Sequence, residues 1–201
     1  MQKRALVLSL GNPGSRYLFT RHNAGHICLD FIRMELKFDW DNGSRISKKC
    51  FCESAVRSWA DAEVLFLKAN TYMNESGKVL SALSKYFPKW KVSKDLPLIV
   101  LHDELDVPAG KAKVKFGGSD AGHNGLRSIR QHIGHGDYFR IRVGIGRPPK
   151  GSPIDISDYV LQKFAKEDEA KLEKTLQKSL HMCHELIFNN LESAQAVAAK
   201  K

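Results

Sequence analysis

Leu96-Pro97-Leu98-Ile99-Val100-Leu101-His102-Asp103-Glu104-Leu105-Asp106-Val107-Pro108-Ala109-Gly110-Lys111 contains the sharpest change of character in the chain. Residues 96–101 read as a fully buried strand. The run ends abruptly in acidic residues followed by Pro108 and Gly110, which places carboxylates at the strand's carboxyl end. In open α/β sheets that edge is where ligands bind. A carboxylate there can orient a histidine, hold a metal or bind a sugar hydroxyl, and the rest of the chain must decide between them.

Working outward, residues 4–10 read as a second buried strand, closed by the turn Gly11-Asn12-Pro13-Gly14. Ala24, Ile27, Cys28, Phe31, Ile32 and Leu36 recur at helical spacing over 23–36, with Thr20 or Asn23 available as a cap. Runs at 51–58 and 63–67 flank Ala60-Asp61-Ala62 as a hairpin, and a helix from Ser76 to Phe87 stops at Pro88. Further strands are expected at 112–116 and 140–145, with a helix from about His123 to Ile133 after the loop Gly117-Gly118-Ser119-Asp120-Ala121-Gly122. The segment 147–153 reads as a mobile loop, and 167–191 as one long amphipathic helix with an acidic first turn. Strands alternating with helices predict an α/β fold: one domain over 1–201, a three-layer sandwich whose mixed, mostly parallel central sheet is flanked by helices. Residues 193–201 are expected to form a flexible tail.

Composition narrows the function classes. In 201 residues, 32 Lys+Arg against 22 Asp+Glu give a net charge of +10, which favours a polyanionic partner, nucleic acid before membrane. No stretch approaches the roughly 20 apolar residues that span a bilayer. The apolar run 5–10 is too short for a signal peptide, and Cys28, Cys50, Cys52 and Cys183 show neither disulfide spacing nor a CxxC pair. A reduced, cytoplasmic protein is expected.

Asn12, the loop Asn70-Thr71-Tyr72-Met73-Asn74, Asp103 and the pair His123-Asn124 all follow predicted strands or open a helix. In a mostly parallel sheet they share one edge and surround one cleft holding amides, histidines and a carboxylate. His22 sits just before the first long helix, whose N-terminus disfavours imidazolium and helps keep the ring neutral at pH 7. A neutral imidazole beside a carboxylate can act as a general base towards water. Other chemistries fit less well. Gly117-Gly118-Ser119-Asp120-Ala121 approaches a serine elbow but lacks its last glycine. His102-Asp103-Glu104 has the deaminase His-x-Glu spacing with no Pro-Cys-x-x-Cys after it. No Gly-Lys-Ser/Thr of a P-loop follows the glycines, and no ligand set has zinc-site spacing.

Taken together, the segments resemble the bacterial-type peptidyl-tRNA hydrolase family. The matching motifs are Gly11-Asn12-Pro13-Gly14, Tyr17, Thr20-Arg21-His22-Asn23-Ala24-Gly25, Thr71-Tyr72-Met73-Asn74-Glu75-Ser76-Gly77, His102-Asp103-Glu104-Leu105-Asp106, Gly117-Gly118, Gly122-His123-Asn124-Gly125-Leu126 and Arg142-Val143-Gly144-Ile145-Gly146-Arg147-Pro148, in family order over roughly residues 5–165. Two positions depart from the family pattern: Ala69 stands where proline is usual, and Ala121 replaces a glycine.

The resemblance implies hydrolysis of the ester joining a peptide to the 3′ end of tRNA, releasing the peptide and recycling the tRNA, without metal or cofactor. By the same match His22 activates water and Asp103 orients its ring. Asn12, Asn74 and Asn124 bind peptide backbone and help place water and carbonyl, Asn74 being the candidate oxyanion donor. Tyr17 and Tyr72 belong to the substrate-contacting set, Tyr17 where the terminal nucleotide is expected. Lys111, Lys113 and Lys115 alternate on one predicted strand, and Arg140 and Arg142 on another, so each set shares a face. Lys113, Lys115 and Arg142 are expected to contact acceptor-stem phosphates through charge and shape. A monomer is the simplest assembly. The alternative is a non-catalytic RNA-binding adaptor on the same scaffold, and a third reading is a serine esterase using Ser119.

Overall fold

The computed structural model describes residues 3–41 and 43–200. Six strands form one sheet: β1 (Lys3–Ser9), β2 (Cys52–Trp59), β3 (Ala62–Ala69), β4 (Leu98–Glu104), β5 (Ala112–Phe116) and β6 (Phe139–Gly144), in the spatial order β2-β3-β1-β4-β6-β5. The four central strands run parallel, and β2 and β5 close the edges antiparallel. Seven α-helices accompany them among the described residues: α1 (Ala24–Glu35), α2 (Arg45–Cys50), α3 (Gly77–Tyr86), α4 (Asn124–Ile133), α5 (Ile156–Leu161), α6 (Glu169–Phe188) and α7 (Leu191–Ala199).

The alternation of side chains across a strand explains the layers. Ile99 and Leu101 of β4 face a core shared with α1 and α6, while Leu98 and Val100 face a second core shared with α3 and α4. All four are buried, and each contributes about 1.5–3 kcal/mol relative to exposure. The continuous apolar run at 96–101 therefore reflects burial on both faces of a central parallel strand. The expected three-layer α/β architecture is what the chain adopts.

One packing detail positions the functional end. A Cβ on Gly25 would lie 2.3 Å from the Leu101 carbonyl oxygen and 2.7 Å from that of Leu10. Helix α1 therefore presses its first turn directly onto the carboxyl ends of β1 and β4, carrying the preceding residues 21–23, a short 3₁₀ turn, with it. Neither expected cap operates: the side chains of Thr20 and Asn23 make no capping hydrogen bond. The Asn23 amide is spent on the β1 loop instead, accepting from Asn12 N–H at 2.9 Å and donating to Asn12 O at 3.0 Å.

At the C-terminus the expected single helix divides. A 3₁₀ turn over Lys166–Asp168 leads into α6, which ends at Phe188, and Asn190 then caps α7 by accepting from Ser193 N–H at 2.9 Å. The stretch 193–199, read from sequence as tail, lies inside α7, with Ala194 fully buried against the core. The small residues of Ala194-Gln195-Ala196-Val197-Ala198-Ala199 disguised a packed helix.

Candidate active site

At the carboxyl end of β4, the buried Asp103 carboxylate joins two histidines from different elements. His22 Nδ1 lies 3.0 Å from Asp103 Oδ1 and 3.1 Å from Oδ2, and His123 Nε2 lies 3.0 Å from Oδ1. A carboxylate can only accept, so both ring nitrogens donate. The other nitrogen of His123 caps α4, its Nδ1 accepting from Gly125 N–H at 3.1 Å and Leu126 N–H at 3.4 Å. His123 is thereby fixed as the neutral Nε2–H tautomer. His22 donates through Nδ1, which leaves Nε2 with its lone pair free. Beneath them the buried His102 donates from Nδ1 to the Asp103 carbonyl at 2.6 Å and sets its ring edge-to-face against His123 at 5.1 Å.

Electrostatics follow from this geometry. Burial, the largest influence on His22, favours the neutral ring, but the charge and hydrogen bond of Asp103 outweigh it and raise its pKa above the ordinary value. The downward bias expected from the helix N-terminus is the effect of a partial charge, and a full carboxylate at hydrogen-bond distance reverses its sign. Burial likewise opposes ionisation of Asp103, yet His22 and His123 hold its pKa well below the usual carboxylate range. His102, buried and close to His123, stays neutral.

The donor atoms of His22, Asp103 and His123 lie within 4.8 Å of one another, a spacing that metal ligands can share. The hydrogen bonds argue against that use. His123 would have to ligate through Nε2, the nitrogen that its cap obliges to carry a proton. The cluster is built to hold protons in defined places.

His22, Asp103 and His123 open into a cleft of about 370 Å³ whose walls include Asn124, Lys115, Arg140, Arg142 and Arg147. Alternation implied that each strand's cations share a face; the register pairs Lys113 with Arg142 and Lys115 with Arg140, which puts both sets on the same face of the sheet. Their freedom differs. Lys113 is exposed, and burial followed by the charges of Arg142 and Arg140 lowers the pKa of Lys115. Arg142 is already paired with Glu104 at 2.8 Å, and Arg147 with Asp106 at 2.7 Å. Arg140 is buried and holds the glycine loop, donating to Ser119 O at 2.6 Å and Gly118 O at 2.8 Å. No hydrogen bond joins the Ser119 hydroxyl to a histidine among the described residues, so a serine nucleophile has no base there.

The other sequence candidates are more dispersed. Asn12 uses its Oδ1 to accept from Met73 N–H at 2.8 Å, tying the β1 loop to the β3 loop, while its Nδ2 has no hydrogen-bond partner among the described residues. Asn74 and Asn124 are exposed, and Asn124 borders the His22 cleft while Asn12 borders a neighbouring groove. Tyr17 lies under the Arg16 guanidinium at 4.5 Å, and Tyr72 is exposed just before Met73–Glu75. Neither tyrosine is among the residues lining the His22 cleft. His123 was the residue that motif reading left without a role. Its signal was the pattern Gly122-His123-Asn124-Gly125, a histidine at a helix start where its side chain can act as cap.

Comparison with known proteins gives this arrangement a context. The family model described as peptidyl-tRNA hydrolase matches residues 6–201. The peptidyl-tRNA hydrolase of Neisseria meningitidis is 39% identical over 189 residues, covering 94% of this chain and 93% of that protein. A Geobacter relative of the same name is 40% identical over 193 residues, covering 96% of each. The crystal structure of peptidyl-tRNA hydrolase from Acinetobacter baumannii superposes with a TM-score of 0.85 at 31% identity, covering 100% of this chain and 97% of that one.

Proposed function

Since the chain belongs to the peptidyl-tRNA hydrolase family and hydrolyses the ester between peptide and tRNA, we propose that His22 is the base of that reaction. The observation that carries this reading is the Asp103 hub. It fixes the His22 tautomer, which leaves Nε2 as the unprotonated nitrogen of a ring that lines a cleft rimmed by cations. His22 Nε2 removes a proton from water, and the resulting hydroxide attacks the ester carbonyl. The Asn74 amide donates to the developing oxyanion. As the tetrahedral intermediate collapses, the imidazolium returns its proton to the departing 3′ oxygen of the tRNA. Asp103 stabilises that imidazolium without taking the proton. A placed base is worth roughly 10²–10⁴-fold, and one oxyanion donor roughly 10²–10³-fold.

Asn12 contributes its free amide to the peptide backbone while its oxygen keeps the two loops together, and Asn124 contacts substrate from the α4 side. Tyr17 and Tyr72 contact the 3′ end from outside the cleft. Lys113 and Lys115 take acceptor-stem phosphates, joined by Arg142 to the extent that Glu104 releases it. The enzyme works as a cytoplasmic monomer without a metal, a setting that suits its four buried free thiols.

The pH–rate profile tests the assignment of the base. Activity requires neutral His22, so kcat/KM should rise with pH through one ionisation above the ordinary imidazole value of about 6.5. A profile flat from pH 6 to 9 would remove His22 from that role.

A further inference from the structure

We propose that a groove on the far side of the His22 loop binds apolar side chains of the substrate's peptide, which makes the enzyme selective for what its tRNA carries. The inference rests on the reading of His22 as the base. The groove has a volume of about 520 Å³, and Leu18, Phe19, Ile27, Phe31 and Met34 line it. Three of these are unusually open to solvent: Leu18 is 52%, Phe19 64% and Met34 64% exposed. Large apolar side chains gathered round one concavity mark a binding surface.

The wall between groove and cleft is the segment 17–23. Asn23 borders the groove and His22 the cleft, consecutive residues whose Cα atoms are about 3.8 Å apart. That wall is braced from behind, Arg21 N–H donating to Gln162 O at 2.9 Å and Phe164 N–H to Phe19 O at 3.2 Å. Phe19 itself sits at φ +62°, in the left-handed region that side chains other than glycine avoid. A strained backbone that displays an aromatic ring to solvent calls for a function.

Three observations identify the occupant as peptide. The strand order sets the groove at the ends of β3 and β1, the base beside β4, and the cations on β6 and β5. The cations face the α4 side of the sheet and the groove the α1 side. A substrate with its tRNA on the cations and its ester at His22 therefore crosses the carboxyl edge of the sheet, over the 17–23 wall, to enter the groove. Lys68, the one cation among the groove's described lining residues, is held by Asp30 at 2.7 Å and Glu53 at 3.8 Å, so the groove offers nothing to phosphate. Asn12 lies at the groove's edge with Nδ2 free to bond a peptide carbonyl as the chain passes.

The test compares three substrates of the full chain: N-acetyl-glycyl-tRNA, which has no side chain to place in the groove, and tetrapeptidyl-tRNAs built from leucine or from glycine and serine. Burying even one apolar side chain should lower KM for the leucine substrate about tenfold relative to the glycine-serine one, with kcat equal. Phe19→Asp and, separately, Met34→Asp should collapse that ratio to about one, with thermal melting checking that each variant is folded. Equal KM for the two tetrapeptides in the wild type, or a ratio that survives both substitutions, would overturn the proposal. So would a dimer that either substitution dissociates, since the groove would then belong to a second copy. Failure to cleave even the short substrate would instead refute His22 as a working base.

Discussion

His26 offers a quantitative test of how the functional end is supported. Its ring lies under the β1 loop, where a Cβ on Gly11 would come within 2.3 Å of Cδ2, and its Nδ1 meets the Ser9 hydroxyl at 2.9 Å. Burial first, then the charge of Lys68, lower its pKa to about 3, against the opposing pull of the Ala69 and Gly11 carbonyls. The unfolded chain binds the proton below about pH 6.5, whereas the folded chain resists it until about pH 3. Between those values the unfolded state holds more protons, so stability falls as pH falls, by about 1.4 kcal/mol per unit. By pH 5 the loss from His26 alone is about 2 kcal/mol. Glutamine keeps a hydrogen-bonding partner for Ser9 but cannot be protonated. Urea unfolding of the wild type and His26→Gln at pH 7.5, 6.5, 5.5 and 5 isolates the effect, because the other titrating groups cancel in the difference. The variant should start about 1–2 kcal/mol less stable, from lost packing, and the gap should close by pH 5. A gap unchanged across that range would refute the reasoning.

Other expectations follow from the same geometry. Asp103→Asn removes the charge that raises the His22 pKa, leaving burial to lower it; kcat should fall about 10²-fold or more while the rising limb of the pH–rate profile moves to lower pH. Lys113→Ala with Lys115→Ala should weaken tRNA binding and reduce the slope of log Kd against log salt by about 0.7–0.9 for each phosphate no longer neutralised, an unchanged slope excluding both. Ala121 sits at φ +48°, so Ala121→Gly should stabilise the protein by about 0.5–1 kcal/mol in urea titrations despite the added freedom of the unfolded chain.

Ala121 also shows how far sequence reading reached. It was visible from its motif as a glycine replaced by alanine, but only the backbone shows that the position is left-handed and why glycine suits it. The strands and the edge on which they end were legible because burial on both faces leaves an unbroken apolar run, as at 98–101. His22 and Asp103 were legible as chemistry at that edge, 81 residues apart yet in contact. His123 was legible only in part: its place at a helix start hints at the cap, but its grip on Asp103, 20 residues away, depends on the fold. Arg140 and Arg142 read as cations sharing one face of a strand, with Arg142 expected on phosphate. One is buried as a loop clamp and the other paired with Glu104, since those fates depend on partners distant in sequence. Helix α7 escaped because its stripe of alanines carries little apolar periodicity until α6 lies beside it.

The most direct trial of the account is single-turnover hydrolysis of N-acetyl-aminoacyl-tRNA by the wild type and His22→Ala, with tRNA affinity measured alongside. Rapid release by the wild type, slowed about 10²–10⁴-fold in the variant at unchanged tRNA affinity, is the expected result. Release by the variant at close to the wild-type rate would show that the water is activated elsewhere.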